Sequence, residues 1–231
     1  MRNIWFTIYS SPNDDDKYIG LNNYRTLLEA LLPVTIQDKL NRLKKAQKIM
    51  YCLIPDRESD LIENFAKNYH NKKIVSSGII NLEVGSKSID WNSLSEQARK
   101  DFLIEKWKVL FENLSDDYFI TDRSEVIKSL DELKEKEWRL KIIPIKKKVK
   151  YNNESYSIVI DLSVQHARLK LVRDSDGSWA LLKDYETYKI QTDANFKSFK
   201  LEGDTLTLNN KNLFNTMFES PAIFNLREIL K

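Results

Sequence analysis

Apolar side chains set the rhythm of this chain, and the rhythm changes once. In residues 3–9, NIWFTIY, aromatic and β-branched residues predominate and predict a first strand. The polar stretch SSPNDDDK reads as a loop, and NYRTLLEALLP as a short helix stopped by Pro33. TIQDKLNRLKKAQ then reads as a second helix, opened by a Thr35–Asp38 capping box. KIMYCLI, bounded by Pro55, has the composition of a buried strand. Leu61, Ile62, Phe65, Ala66 and Tyr69 fall at helical spacing. GIINLEVGSKSIDW predicts a strand that turns as a hairpin at Gly85-Ser86. The strongest helical signal follows it: Ser93 and Glu96 form a capping box, and Leu103, Trp107, Leu110 and Leu114 fall on one stripe. A last helix is expected from Glu125 to Trp138, capped by Asp122.

After Trp138 the period drops to two. Tyr156, Ile158, Ile160, Leu162 and Val164 alternate with Ser157, Asp161 and Ser163, broken only at Val159. Two hairpins are signalled, one turning at Asp176-Gly177 and one around Glu202-Gly203-Asp204. NLFNTMFESPAIFNLREILK closes the sequence as one or two short helices. The expected class is α+β: a helix-rich part over residues 1–138, then a mostly antiparallel β-meander over 139–231 with a short C-terminal helix.

Composition narrows the chemistry. Only 5 glycines occur in 231 residues, and none lie at the spacings of the phosphate-cradling loops, so the usual nucleotide folds are not expected. The longest uninterrupted apolar run, Ile49 to Ile54, is far short of the roughly 20 residues a membrane span needs. The first residues lack the long apolar region of a secretory signal, so a cytoplasmic protein without membrane association is expected. Cys52 sits inside the apolar run with no basic neighbour in sequence to favour a thiolate, which suits a structural thiol. His70 and His166 stand far apart, without ligand spacing to other metal-binding residues, so neither a metal nor a cofactor is expected. No catalytic residue is assigned, although an enzyme assembled from scattered side chains would leave no trace in one sequence.

Charge gives two candidate surfaces. The acidic one is Asp14, Asp15 and Asp16, with a second cluster at Asp116 and Asp117, and it suits contact with a basic protein partner. The basic one lies in RLKIIPIKKKVKY, residues 139–151, where six cationic side chains fall in thirteen positions. As a strand, KIIPIKKKVKY (residues 141–151) places Ile143, Ile145, Val149 and Tyr151 on one face together with Lys147, and Lys146, Lys148 and Lys150 on the other. Pro144 marks a strand start or a sheet edge, where lysines discourage aggregation without any ligand. The same strip, extended by Arg168, Lys170 and Arg173, is the alternative, nucleic-acid reading. Residues 139–231 carry 16 Lys and Arg against 11 Asp and Glu, while the preceding part carries 21 against 23.

The segment IINLEVGSKSIDWNSLSEQARKDFLIEKWKVLFENL, residues 79–114, combines a strand, an Asp-Trp step, a Leu-Ser start and a long amphipathic helix. In this it resembles the small bacterial immunity proteins that protect cells from polymorphic or contact-dependent toxins. The resemblance implies a cytoplasmic domain without catalytic residues that occludes a cognate toxin domain. It covers 36 residues and carries over no functional residue. Immunity proteins that block nucleases tend to be acidic, whereas this chain has a formal charge of +3.

Overall fold

The computed structural model describes residues 4–41, 48–70, 78–190, 196–210 and 221–230. The chain divides into two compact units, Met1–Trp138 and Arg139–Lys231. The class is α+β.

The first unit is built on a three-stranded parallel sheet in the order β1 (Trp5–Tyr9), β2 (Lys48–Ile54), β3 (Ile79–Gly85). Helix α1 (Leu21–Ile36) lies between β1 and β2 in sequence, and α2 (Ile62–His70) between β2 and β3. Helices α3 (Glu96–Glu112) and α4 (Arg123–Glu135) complete the unit. The register aligns Phe6 with Ile49 and Ile80, then Ile8 with Tyr51 and Leu82, then Leu53 with Val84. Because side chains alternate across a strand, these eight residues share one face. All are at 3% exposure or less. Trp107 of α3 sits against that face, edge-on to Phe6 at 6.0 Å and to Tyr51 at 5.1 Å. The Tyr51 hydroxyl donates to the Leu103 carbonyl at 3.3 Å, so its one polar atom is satisfied within the core.

Three local expectations change. Pro33 does not end α1, which runs on to Ile36. A proline in the last turn forfeits one backbone bond and no more, and Leu32 and Ile36, both fully buried, hold that turn in place. Thr35 therefore caps nothing, and its hydroxyl donates back to the Leu31 carbonyl at 2.8 Å. The expected second helix does not form there: Gln37–Lys39 make a single 3₁₀ turn and Leu40 is extended, bridging Phe119, while residues 42–47 lie outside the described residues. The cap of α3 is Ser95, whose side chain accepts from the Ala98 N–H; Ser93 instead ends a 3₁₀ turn and donates to the Asp90 carbonyl. Finally, β3 does not turn back as a hairpin at Gly85. It stops there, because β2 already fills one side and the segment 60–69 closes the other. Leu61 N–H bonds to the Glu83 carbonyl, and the Tyr69 hydroxyl bridges the Ile79 carbonyl and the Asn81 N–H. Asp122 caps α4 as expected.

The second unit is antiparallel. Strands β4 (Leu140–Ile142), β6 (Glu154–Leu162), β7 (Ala167–Arg173) and β8 (Trp179–Tyr185) pair in that order, and β5 (Val149–Tyr151) pairs further along the same edge of β6 as β4. The expected single strand over 141–151 is thus two short pieces. Pro144 cannot donate to a ladder and falls between them. Ile143 is 56% exposed rather than core-facing, while Ile145 and Val149 are buried. Tyr156, Ile158, Ile160 and Leu162 face the core with Ala167, Leu169 and Leu171. A three-stranded sheet follows, β9 (Phe196–Glu202), β10 (Thr205–Asn210) and β11 (Ala222–Asn225), with β10 central. Helix α5 (Leu226–Ile229) comes next. The expected C-terminal helices reduce to this one turn among the described residues, and 211–220 lie outside them. No helix among the described residues is long and apolar enough to cross a membrane.

Gly85 tests how tightly the end of β3 is held. A Cβ there would meet the Ser59 backbone at 2.6 Å. Gly85→Ala is expected to destabilise the protein by about 2 kcal/mol or more, as overpacked positions do. Gly203→Ala meets only the strain of a positive φ with open space around it, and should cost about 1 kcal/mol. Urea-unfolding midpoints of the two variants measure the difference, and equal midpoints would show that the Ser59 segment yields.

Candidate functional site

Parallel strands end on the same side, so the segments that leave β1, β2 and β3 must meet at one end of the sheet. There they enclose a cavity of about 430 Å³. The segment after β1 contributes Asp16, Lys17 and Tyr18; that after β2, Pro55 and Asp56; that after β3, Ser86, Lys87 and Ile89 to Asn92. Ligands of open α/β sheets bind in this position, outside the carboxyl ends of the strands.

The floor is buried and its polar atoms are engaged. The Tyr18 hydroxyl and Ser86 Oγ lie 2.6 Å apart. Burial, partly offset by that hydrogen bond, pushes the Tyr18 hydroxyl above the ordinary tyrosine range, so it stays neutral. Trp91 is 1% exposed and donates its indole N–H to the Ile19 carbonyl at 3.0 Å. Arg99 donates to the carbonyls of Trp91 and Asn92, each at 3.1 Å. The Asn92 amide spans the loop, donating to the Asp16 carbonyl and accepting from the Ile19 N–H. These bonds tie the loop after β1 to the turn before α3.

The rim is charged and mostly acidic. Lys17 lies 3.4 Å from Asp14 and 3.7 Å from Asp56. Lys87 is drawn to Glu58 at 3.0 Å. Asp15, Asp16 and Asp90 are exposed, and their carboxylates have no ion-pair partner among the described residues. Next to Tyr18 of the lining, Ile19 is 63% exposed. Behind it, Asp60 accepts from the Gly85 N–H at 3.0 Å and from Lys106 of α3 at 3.0 and 3.1 Å. That pair is largely buried, so it clamps the end of β3 to α3.

The two acidic clusters separate. Asp14, Asp15 and Asp16 occupy a 3₁₀ helix, Pro12–Lys17, at the cavity. Asp116 and Asp117 sit in a short turn after α3, next to Asn41, where Asp116 pairs with Arg123 at 2.6 Å. Asn41 lies beyond the far end of α1, a 16-residue helix that spans about 24 Å. The two clusters therefore do not form one surface. Asp56, Ser86, Asp90 and Ile19 were not singled out in the sequence. Their signal is position: each of the first three follows a buried apolar strand, and that reads as a site once the strands are known to be parallel.

Ion pairs already occupy much of the basic strip. Lys148 donates to Ser157 Oγ and to Asp174 at 3.0 Å, Lys170 to Asp161 at 2.7 Å, Arg168 to Asp184 at 3.5 Å, and Arg173 to Asp176 at 3.2 Å. Lys146 and Lys150 are exposed. On the solvent face the register lines up Lys141, Asp161, Arg168 and Asp184 across four strands, so signs alternate along the row. Lys170 Nζ also lies 4.1 Å from the centre of the exposed Trp179 ring. Of the remaining reactive groups, Cys52 lies half-buried in β2, and burial pushes its thiol pKa up. His70 closes α2, and His166 lies in the turn between β6 and β7.

The hydrogen bond from Lys170 holds the Asp161 carboxyl below its ordinary value of 3.8. A depressed folded pKa gives stability that is fully present above the unfolded value and is lost as pH falls through the folded one. Asp161→Asn is expected to lower stability at neutral pH and to flatten the loss of stability below pH 3.8. Thermal melts of both proteins from about pH 2 to pH 7 check this, and parallel curves would assign the acid limb to other carboxylates. Comparison with protein-family models, with curated proteins and with solved structures returns no match.

Proposed function

We propose that this chain works by binding another protein through the carboxyl end of its parallel sheet, and that the partner presents a basic surface. One observation carries the reading: beside a cavity rimmed by carboxylates, Ile19 is exposed while its backbone is fixed by hydrogen bonds to the lining residues Trp91 and Asn92. An apolar anchor inside a polar rim is the usual anatomy of a protein interface. Acidic side chains around it would speed encounter with a basic partner and reject acidic ones. A frame ordered beforehand lowers the entropic cost of association.

The resemblance of residues 79–114 to immunity proteins gives the partner its class, a toxin domain met in the cytoplasm. Ser86, Lys87 and Ile89 to Asn92 of that segment line the cavity. The mechanism would be occlusion of the partner's active site, with no chemistry performed by this chain.

Tagged full-length protein captured from the cells that make it, with and without nuclease, tests the reading. A protein that survives nuclease should be retained by the native chain and reduced about tenfold by Asp15→Lys with Asp16→Lys, a loss of about 1.4 kcal/mol. Both positions are exposed, so thermal melting should be unchanged. Retention of the partner by the double variant would place the interface elsewhere. Recovery of nucleic acid, with proteins lost after nuclease, would favour the face bearing Trp179, Lys170 and Lys148.

A further inference from the structure

We propose that the cavity at the carboxyl end of the parallel sheet receives a single arginine side chain from the partner protein. The inference rests on the protein-binding reading and assigns the chemistry of its central contact.

The cavity has depth as well as charge. Tyr18, Ser86 and Trp91 are at 5% exposure or less and form the floor, while Asp16, Asp56 and Asp90 are exposed and form the rim. Its volume of about 430 Å³ lies within the range of sites that enclose a small group, about 300–1,000 Å³. Pro55 and Ile89 add apolar wall. Such a wall suits the methylene stem of a long cationic side chain, which packs its stem and keeps its charge among polar groups.

Counting the lining, its direct ion-pair partners and the guanidinium bonded to it gives five carboxylates, Asp14, Asp16, Asp56, Glu58 and Asp90, against three cations, Lys17, Lys87 and Arg99. A cation entering here is drawn in, and an anion is repelled. The arginines nearby cannot fill the place, since Arg57 is held by Glu83 at 2.7 Å and Arg99 by the carbonyls of Trp91 and Asn92. A guanidinium offers five donors in a planar fork and matches carboxylates two bonds at a time. The Tyr18–Ser86 hydroxyl pair uses one hydrogen between two oxygens, so acceptor capacity remains on the floor. An ammonium group is compact and strongly hydrated, and it would leave part of this arrangement unused.

The probe is a blocked Gly-Arg-Gly peptide, with its citrulline counterpart as an uncharged isostere, titrated into ¹⁵N-labelled full-length protein. The arginine peptide should shift the Ser86 and Asn92 amides and the Trp91 indole N–H, and the citrulline peptide should leave them in place. Asp16→Asn with Asp90→Asn should weaken the arginine peptide about tenfold, as should added salt. Equal shifts from both peptides, or shifts confined to residues outside the cavity, would overturn the assignment. If the arginine peptide fails while capture of a protein partner still depends on Asp15 and Asp16, the cavity assignment falls and the protein-binding reading stands. If the peptide binds in the cavity and no captured protein depends on the rim, the arginine-binding chemistry holds and the partner reading falls.

Discussion

Everything in the first unit depends on one constraint: three strands run parallel and share a single buried face. Parallel neighbours cannot be joined by a tight turn, so each connection must travel back along the sheet. α1 and α2 occupy those returns. The cost is two long connections around a small sheet. The gain is that every strand delivers its next residues to the same place. Phe6, Ile8, Ile49, Tyr51, Leu53, Ile80, Leu82 and Val84 fix the register, and Trp107 locks it through edge-on ring contacts. A slip of one residue would turn all of that apolar surface outward. The core thus determines which residues come next at the strand ends, and those residues make the cavity.

The cavity keeps its shape through contacts that bridge core and rim. Asp60 links the last N–H of β3 to Lys106 on the helix that covers the sheet. Gly85 has no room for a side chain because the backbone at Ser59 passes against it. Asn92 and Arg99 then tie the start of the α3 region to the loop after β1. The bonds of Asp60 and Trp91 satisfy part-buried groups, and those of Asn92 tie the exposed loop down.

Periodicity made the helices and the meander legible. The stripe of Leu103, Trp107, Leu110 and Leu114 is fully buried, Asp122 caps α4, and Gly177 and Gly203 take the positive φ their turns require. The change of period after Trp138 coincides with the division into two units. Strand direction was not legible, because IMYCLI suits a buried strand of either sense and nothing local distinguishes them. Without direction, Asp56 and Asp90 are two acids in two unrelated loops. The Asn152-Asn153 turn between β5 and β6 also escaped notice. Both residues adopt positive φ, 49° and 63°, which asparagine tolerates better than most side chains but signals less strongly than glycine. Asp14 to Asp16 stood out by composition alone, although their relation to the cavity depends on where β1 ends.

Net charge describes neither unit well. The second unit holds an excess of cations, yet on its main sheet they alternate with carboxylates across strands, and much of the field they could project is cancelled at close range. The lysines of its broken edge, Lys146 to Lys148 and Lys150, sit where Pro144 interrupts pairing, an arrangement that keeps a sheet edge from recruiting other strands. The first unit is nearly neutral in sum, but the strand ends bring five of its carboxylates, Asp14, Asp16, Asp56, Glu58 and Asp90, to one cavity with fewer cations to balance them. Charge that is spread evenly favours solubility, whereas charge collected around a cavity with an exposed apolar residue beside it favours recognition. On that distinction the proposed partner surface falls on the weakly charged unit rather than on the basic one.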